Sequence, residues 1–403
     1  MDSSAKGALN VFAGVFPLRR YGFNLEPPLE QGRGAAVAFP LWRRARCCFV
    51  LLLLLCTIFS GIAGAALLRD LESAVRLRSG SGIPVRQSGD GYAVDAALFL
   101  LYAVESGNRA LFDELLPPFR QAFIVPFEAG AHTSGTVGWK RRGQSPPDAS
   151  GTTETMLAAK ALWRAGVLWK NESFLEESLS LIRGYLAHES GKEKSWQIRN
   201  YYNYGTRAFA ANSYALGYFP DFLFEVARSG LLPEASEAAE RSLRFLRNAA
   251  LPNGLFSSSF DPELRTLFPE AEFSYHFSPD FRIKPGDSAF IALEMAESDP
   301  TISRRTLALL KVFWPSLPDT VYGFLSLEIS RAERRPEIST GHLAGVYRLA
   351  LRFDEAFAGE ILPVLHERAL SLLSGNEEEA WTWDAVNMLL ALLDGERPGE
   401  LAR

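Results

Sequence analysis

The chain has 403 residues, 47% of them hydrophobic, and a formal net charge of −5. That is enough apolar material for one large core or two smaller ones. It carries no basic stripe interleaved with aromatics of the kind a nucleic-acid backbone requires, since Arg43-Arg44-Ala45-Arg46 and Lys140-Arg141-Arg142 are short clusters.

Residues 1–46 are rich in Gly, Pro and Arg without apolar periodicity, and read as a mostly disordered tail. Cys47 to Leu68 is an uncharged run of 22 residues. As a helix it reaches roughly 33 Å, enough to cross a bilayer core. Arg43, Arg44 and Arg46 stand just before it. The charge bias predicts an uncleaved single-pass signal-anchor with a cytoplasmic N-terminus, and a domain from residue 69 to 403 outside, periplasmic or extracellular. The rival reading is a cleaved signal peptide, because Ala63-Gly64-Ala65 resembles a cleavage site. Cys47, Cys48 and Cys56 are the only cysteines. The exported part is therefore expected to hold no disulfide and no thiolate metal site.

Beyond the anchor, apolar residues recur at helical spacing. The expected helices are Ala66–Arg78, Gly91–Glu105, Arg109–Phe123, Thr152–Trp169 and Glu172–His188, followed by Ser213–Arg228 and Pro233–Asn248. Then come Asp287–Glu297, Ile302–Phe313, Ser339–Arg352, Phe357–Leu373 and Trp381–Leu393. Short strands are expected only within loops, at Val137–Lys140 and Val321–Ile329. Turns within helix pairs are short, whereas Val125–Gly151, Gly191–Asn212 and Leu255–Gly286 are long. Twelve helices in hairpins with long loops predict an all-α fold, an (α/α)6 barrel of six helical hairpins, with its site in the long loops.

Several residues are candidates for chemistry. Asp287 opens a helix, where an acidic residue serves either as a cap or as a carboxylate on the rim of a cleft. Asp90 lies in Ser-Gly-Asp-Gly, a natural turn or N-cap setting. Glu154 follows Thr152 and Thr153, either of which suits the N-cap, so it reads equally as a first-turn helix stabiliser. Trp139, Tyr201, Tyr202, Tyr204, Tyr92 and Tyr218 lie in or beside the long loops and are candidates to stack on sugar rings, with core packing as the competing use. The five histidines show no paired ligand spacing, so neither a metal nor a cofactor is expected. There is no phosphate-binding glycine loop and no Gly-x-Ser-x-Gly elbow.

Taken in order, these segments resemble glycoside hydrolase family 8. Ser88-Gly89-Asp90-Gly91-Tyr92 is similar to the family's Ser-Glu-Gly-Gln-Gly-Tyr, and Ser150 to Thr155 resembles its Ser-Ala-Thr-Asp-Gly-Asp. Asn212-Ser213-Tyr214 with Gly217 to Pro220, and Leu251 to Leu255, match later family segments. Gly286-Asp287-Ser288-Ala289 resembles Tyr-Asp-Ala-x-Arg, and Trp383 to Asn387 its closing helix. The resemblance implies a six-hairpin glycosidase fold and endo-acting, inverting hydrolysis of a β-linked polysaccharide. The departures are specific. Ser88 stands where the family has its general acid and Thr153 where it has its second acidic residue, while Asp287 stands at the base. A hydroxyl cannot replace the acid, so the resemblance implies a displaced pair, Asp90 or Glu154 with Asp287. Otherwise it implies an inactive relative that binds polysaccharide, in a complex of exopolysaccharide synthesis or export. A helical scaffold with no glycan function is the third reading.

Overall fold

The computed structural model describes residues 64–79, 82–129, 132–189, 198–210, 218–251, 253–256, 282–319, 321–322, 338–375 and 380–397. All fall within one compact unit, Phe59–Arg403. Most of the expected anchor, 47–63, and the tail before it lie outside the described residues. Residues 64–68, the end of that apolar run, begin the first helix, α1 (64–78), whose Leu67, Leu71 and Val75 pack in the core. Among the described residues no helix is long and apolar enough to cross a membrane.

The remaining helices are α2 (Ala93–Glu105), α3 (Arg109–Phe123), α4 (Thr152–Trp169), α5 (Glu172–Leu186), α6 (Pro220–Arg228) and α7 (Glu234–Ala249), followed by α8 (Pro285–Glu294), α9 (Pro300–Phe313), α10 (Thr340–Phe353), α11 (Glu355–Leu373) and α12 (Trp381–Glu396). The even-numbered helices form an inner ring. α2 packs on α4, α8 on α10, α10 on α12, and α12 back on α2. Trp163 Nε1 donates to Glu225 Oε1 at 2.9 Å, joining α4 to α6, and α6 packs on α8. Sequence composition sorts the two rings. Eleven of the 13 residues of α2 and 12 of the 16 of α12 are buried, as suits helices apolar on all faces. Only seven of the 16 residues of α7 are buried, along one stripe that faces inward.

Helix starts differ between the rings in the same way. Outer helices α3, α5, α9 and α11 are capped by Asn108, Asn171, Asp299 and Asp354, whose side chains accept from first-turn N–H groups. Among the inner helices only α10 has such a cap, Ser339. The starts of α2, α4, α8 and α12 carry no side-chain cap bond, which leaves their first-turn carboxylates for other work.

Among the described residues four two-stranded ribbons occupy the loops. β1 (Asp90–Tyr92) pairs antiparallel with β4 (Lys140–Arg142), and β2 (Ile124–Ala129) pairs with β3 (His132–Val137). β5 (Tyr202–Asn203) pairs with β6 (Ala208–Phe209), and β7 (Arg282–Ile283) with β8 (Val321–Tyr322). Strand therefore extends further than expected around Val137, while Val321 and Tyr322 form β8 and the rest of that expected strand, 323–329, lies outside the described residues. The β2–β3 ribbon lies flat on α5, where Gly135 N–H donates to Ser180 Oγ at 3.0 Å and the bare Cα of Gly184 faces the Gly135 carbonyl. A methyl on Gly184 would overlap that oxygen. Gly184→Ala is accordingly expected to destabilise the fold by about 1–3 kcal/mol, the usual cost of overpacking, in a urea unfolding titration.

Candidate active site

The first turns of α2, α4, α8, α10 and α12 meet at one end of the barrel, and four of these five carry an acidic residue: Asp95 on α2, Glu154 on α4, Asp287 on α8 and Asp384 on α12. Two of these carboxylates are consumed by structure. Asp95, fully buried, takes two hydrogen bonds from Arg86, Nε at 2.8 Å and Nη2 at 2.9 Å. Asp384 accepts the Gly341 N–H at 2.6 Å and so pins α10 to α12. Thr382 Oγ1 donates to Val85 O at 3.0 Å, which ties α12 to the loop before β1. Asp221, also in a first turn, is turned elsewhere: it accepts the Glu297 and Ser298 N–H groups at 2.8 Å, beyond the far end of α8.

Asp287 is not a cap. The N-cap of α8 is Lys284, and Asp287 sits on the helix rim, where its Oδ1 lies 3.1 Å from His342 Nε2. On the other side of the ring, His342 Nδ1 lies 3.0 Å from Ser339 Oγ. The two contacts fit one tautomer: the serine hydroxyl donates to Nδ1, and Nε2–H donates to the carboxylate. The imidazole is boxed in by Trp383, at 4.7 Å between ring centroids, and by Phe290 at 6.0 Å. Gly286 and Gly341 make the box fit, because a Cβ on the first would strike the His342 ring and one on the second the Trp383 ring. His342 thus fixes one oxygen of Asp287, and among the described residues no hydrogen bond is made to the other. Isolated in sequence, this histidine shows no pairing pattern, and only the α8–α10 contact reveals its role. The one local signal is Ser339 three residues upstream, at the helix cap.

Glu154 is the second unconsumed carboxylate. It is half-buried and folds back over the bare Cα of Gly151, next to Trp139. Burial pushes its carboxyl up from 4.5 to about 7, with the nearby negative charge of Asp95 adding to the effect and its own backbone N–H opposing it. Glu154 therefore carries a proton near neutrality while Asp287 faces the same mouth from α8. The expected caps Thr152 and Thr153 do not cap α4. Gly151 holds that position, and Thr152 Oγ1 instead donates to Asn200 O at 3.2 Å.

Asp90 is neither an N-cap nor a free acid. It lies in β1, and Lys140 Nζ sits 2.6 Å from its Oδ2, an ion pair that braces β1 against β4. Ser88 is exposed in the turn before β1, and the positive φ of Gly89 lets that turn close.

The aromatic candidates divide. Tyr218 is 1% exposed, stacked on Phe245 at 4.3 Å, with its hydroxyl taken by the Ile198 N–H at 2.9 Å. It is a core residue and presents no face to a sugar. Tyr202 is half-buried against Phe127 and Phe209, and the Tyr204 hydroxyl bonds Thr136 Oγ1 at 2.9 Å, its pKa pushed up to about 12 by burial. Tyr92 lies beneath the Arg86 guanidinium at 3.8 Å and receives the Lys140 ammonium on its hydroxyl at 2.8 Å. Trp139 packs edge-on to Tyr92 and donates from Nε1 to Asp148 at 2.8 Å. Tyr201 is the one that stands clear, 39% exposed. Among the described residues no group of His, Cys, Asp and Glu is placed to hold a metal ion.

No family sequence model matches the chain, and no curated protein sequence is detectably similar to it. Solved structures are similar. One is a novel alpha-amylase from Clostridium perfringens, 16% identical over 81% of this chain and 97% of its own, with a TM-score of 0.63. Another is a GH8 endo-beta-1,4-glucanase from an Achatina fulica gut metagenomic library, 15% identical over 82% of this chain and 98% of its own, TM-score 0.58. PssZ from Listeria monocytogenes matches 80% of this chain and 93% of its own at 14% identity and a TM-score of 0.54. The fold is that of the family 8 glycoside hydrolases. Structural likeness at identities this low establishes the fold alone and leaves the chemistry to the side chains. An alpha-amylase and an endo-beta-1,4-glucanase both share this backbone, so the backbone alone does not select a linkage.

Proposed function

We propose that the protein hydrolyses O-glycosyl bonds within a polysaccharide, with Glu154 as the proton donor and Asp287 as the base that activates water. The observation that carries this reading is Glu154: a carboxyl held up to about 7 by burial, at the same mouth as Asp287. A glycosidic oxygen leaves only if it is protonated as the bond breaks, and a carboxyl that still holds its proton at neutral pH is suited to supply it. Asp287, with one oxygen held by His342, keeps the other for water. An inverting reaction on a β-linked chain is the form implied by the family resemblance. In this reading the apolar run that begins at Cys47 anchors the domain on the outer side of a membrane, its last residues, 64–68, belonging to α1 of the domain.

A second reading rests on Ser88 and Thr153, which stand at two acidic positions of the motifs that the chain resembles. On that reading the cleft binds polysaccharide without cutting it, within a machine of exopolysaccharide synthesis or export. The two separate in one experiment, in which the full-length chain is incubated with a panel of soluble polysaccharides. New reducing ends are counted and the anomeric form of the first product is read by NMR. Release of fragments with inverted configuration is expected. Binding without any release by the wild-type chain would sink the enzymatic reading in favour of the second.

A further inference from the structure

The loops before α4 and after α5 form one platform beside the starts of α2 and α4. Ala93 N–H donates to Trp139 O at 3.0 Å, Ser150 N–H to Tyr202 O at 2.8 Å, Tyr204 N–H to Asp148 O at 2.9 Å and Thr152 N–H to Asn200 O at 3.3 Å. Underneath, Ser150 Oγ meets His188 Nε2 at 2.8 Å, while the other ring nitrogen meets Gly184 O at 2.8 Å. The platform is therefore a fixed surface built on Glu154's own helix.

Its charge is opposite to that of the chain. Residues 138–150 hold Lys140, Arg141 and Arg142 against Asp148 alone, and residues 198–210 hold Arg199 and Arg207 with no acidic residue. This is a surplus of four positive charges in a protein of net charge −5. Asp90 offsets Lys140, leaving three. Arg142 and Arg207 are exposed. Arg199 spends its donors on the carbonyls of His188 and Glu189, and among the described residues no carboxylate pairs with any of these three arginines. Tyr201 leads into β5 and Arg207 into β6, strands paired at Tyr202↔Phe209 and Asn203↔Ala208, so an exposed ring suited to a sugar face and an exposed cation share one hairpin. The carboxylates nearest the platform do not cancel this field. Asp95 is paired with Arg86, and burial keeps the proton on Glu154 up to about pH 7.

We infer that the glycan recognised at this platform is anionic: a polysaccharide whose sugars carry carboxylate or other acidic substituents, with Arg142 and Arg207 contacting those groups beside Tyr201. Guanidinium forks suit planar carboxylates, and a cationic border excludes amino-glycans such as chitosan by like-charge repulsion. This inference rests on the glycan-active reading above and narrows its substrate.

The experiment measures binding of the full-length chain, by affinity electrophoresis and calorimetry, to polygalacturonate, dextran sulfate, mixed-linkage β-glucan and chitosan oligomers at 50 and 300 mM NaCl. Polygalacturonate is expected to bind about tenfold or more tightly than the neutral glucan at low salt, with most of the advantage lost at high salt, as screened exposed charges require. Chitosan should not compete. Arg142→Gln with Arg207→Gln should remove the preference for the acidic polymer while leaving the melting curve unchanged. Dextran sulfate binding as well as polygalacturonate would identify a general anion site and still support the anionic class. Neutral glucan binding as tightly as polygalacturonate, or a double variant with unaltered preference, overturns the inference and leaves the glycan reading intact. Absence of binding to every polymer overturns both.

Discussion

Glu154→Gln is expected to lower the rate of glycan hydrolysis by about 10²–10⁴-fold, the range lost when a general acid is removed, and at the same time to make the protein more stable at alkaline pH. The second effect follows from proton linkage. In the unfolded chain the carboxyl loses its proton near 4.5, whereas in the fold it holds it to about 7. Between those values the unfolded state binds fewer protons, so stability falls as pH rises from 4.5 to 7 and levels off above. The full loss is about 3 kcal/mol at 1.36 kcal/mol for each tenfold change. Glutamine resembles the protonated acid and escapes it. Thermal melts of wild type and variant should therefore coincide near pH 4 and separate at pH 8, the variant melting higher. Wild-type turnover should decline as pH rises through about 7, as Glu154 gives up its proton. Melts that coincide at both pH values would show that the carboxyl is solvated and ordinary, and would remove the basis for its role.

Asp287→Asn is the second large effect. The amide keeps an oxygen for His342 Nε2–H, so the α8–α10 contact and the melting temperature should survive while activation of water is lost. Hydrolysis should fall by at least about 10²–10⁴-fold. His342→Ala serves as the companion variant. Asp287 retains its charge but loses the group that aims it, so a smaller loss of turnover is expected, mostly in kcat. Activity unchanged in Asp287→Asn would withdraw the base assignment, while unchanged activity in His342→Ala alone would show that the carboxylate is held by other means.

Much of the scaffold was legible because its signals are local. Arg109–Phe123 and Thr152–Trp169 appear with the limits that periodicity predicts, since helical spacing and breakers such as Ser-Gly-Asn act within a few residues. The site was less legible. The three acidic candidates Asp287, Asp90 and Glu154 look alike in sequence, each being an acid at a turn or helix start. Their fates diverge through contacts with residues distant in the chain. Lys140, 50 residues on from Asp90, takes that carboxylate, and His342, 55 residues from Asp287, orients the other. Packing of the α4 start against Gly151 and the α2 end of the barrel raises Glu154. Tyr218 shows the same limit in reverse: a loop tyrosine in sequence, it is a stacked core ring in the fold.

What the sequence by itself determined is the twelve-helix pattern, the long connections between hairpins and the acidic residue at the start of α8. These depend on hydrophobic periodicity and on residues adjacent in the chain. Only the tertiary structure decided which carboxylates are spent on ion pairs, which one keeps a proton, and which histidine aims the base. Burial and charge pairing are properties of neighbours in space, and the closed ring of inner helices brings those neighbours together from positions as far apart as Asp95 and Asp384.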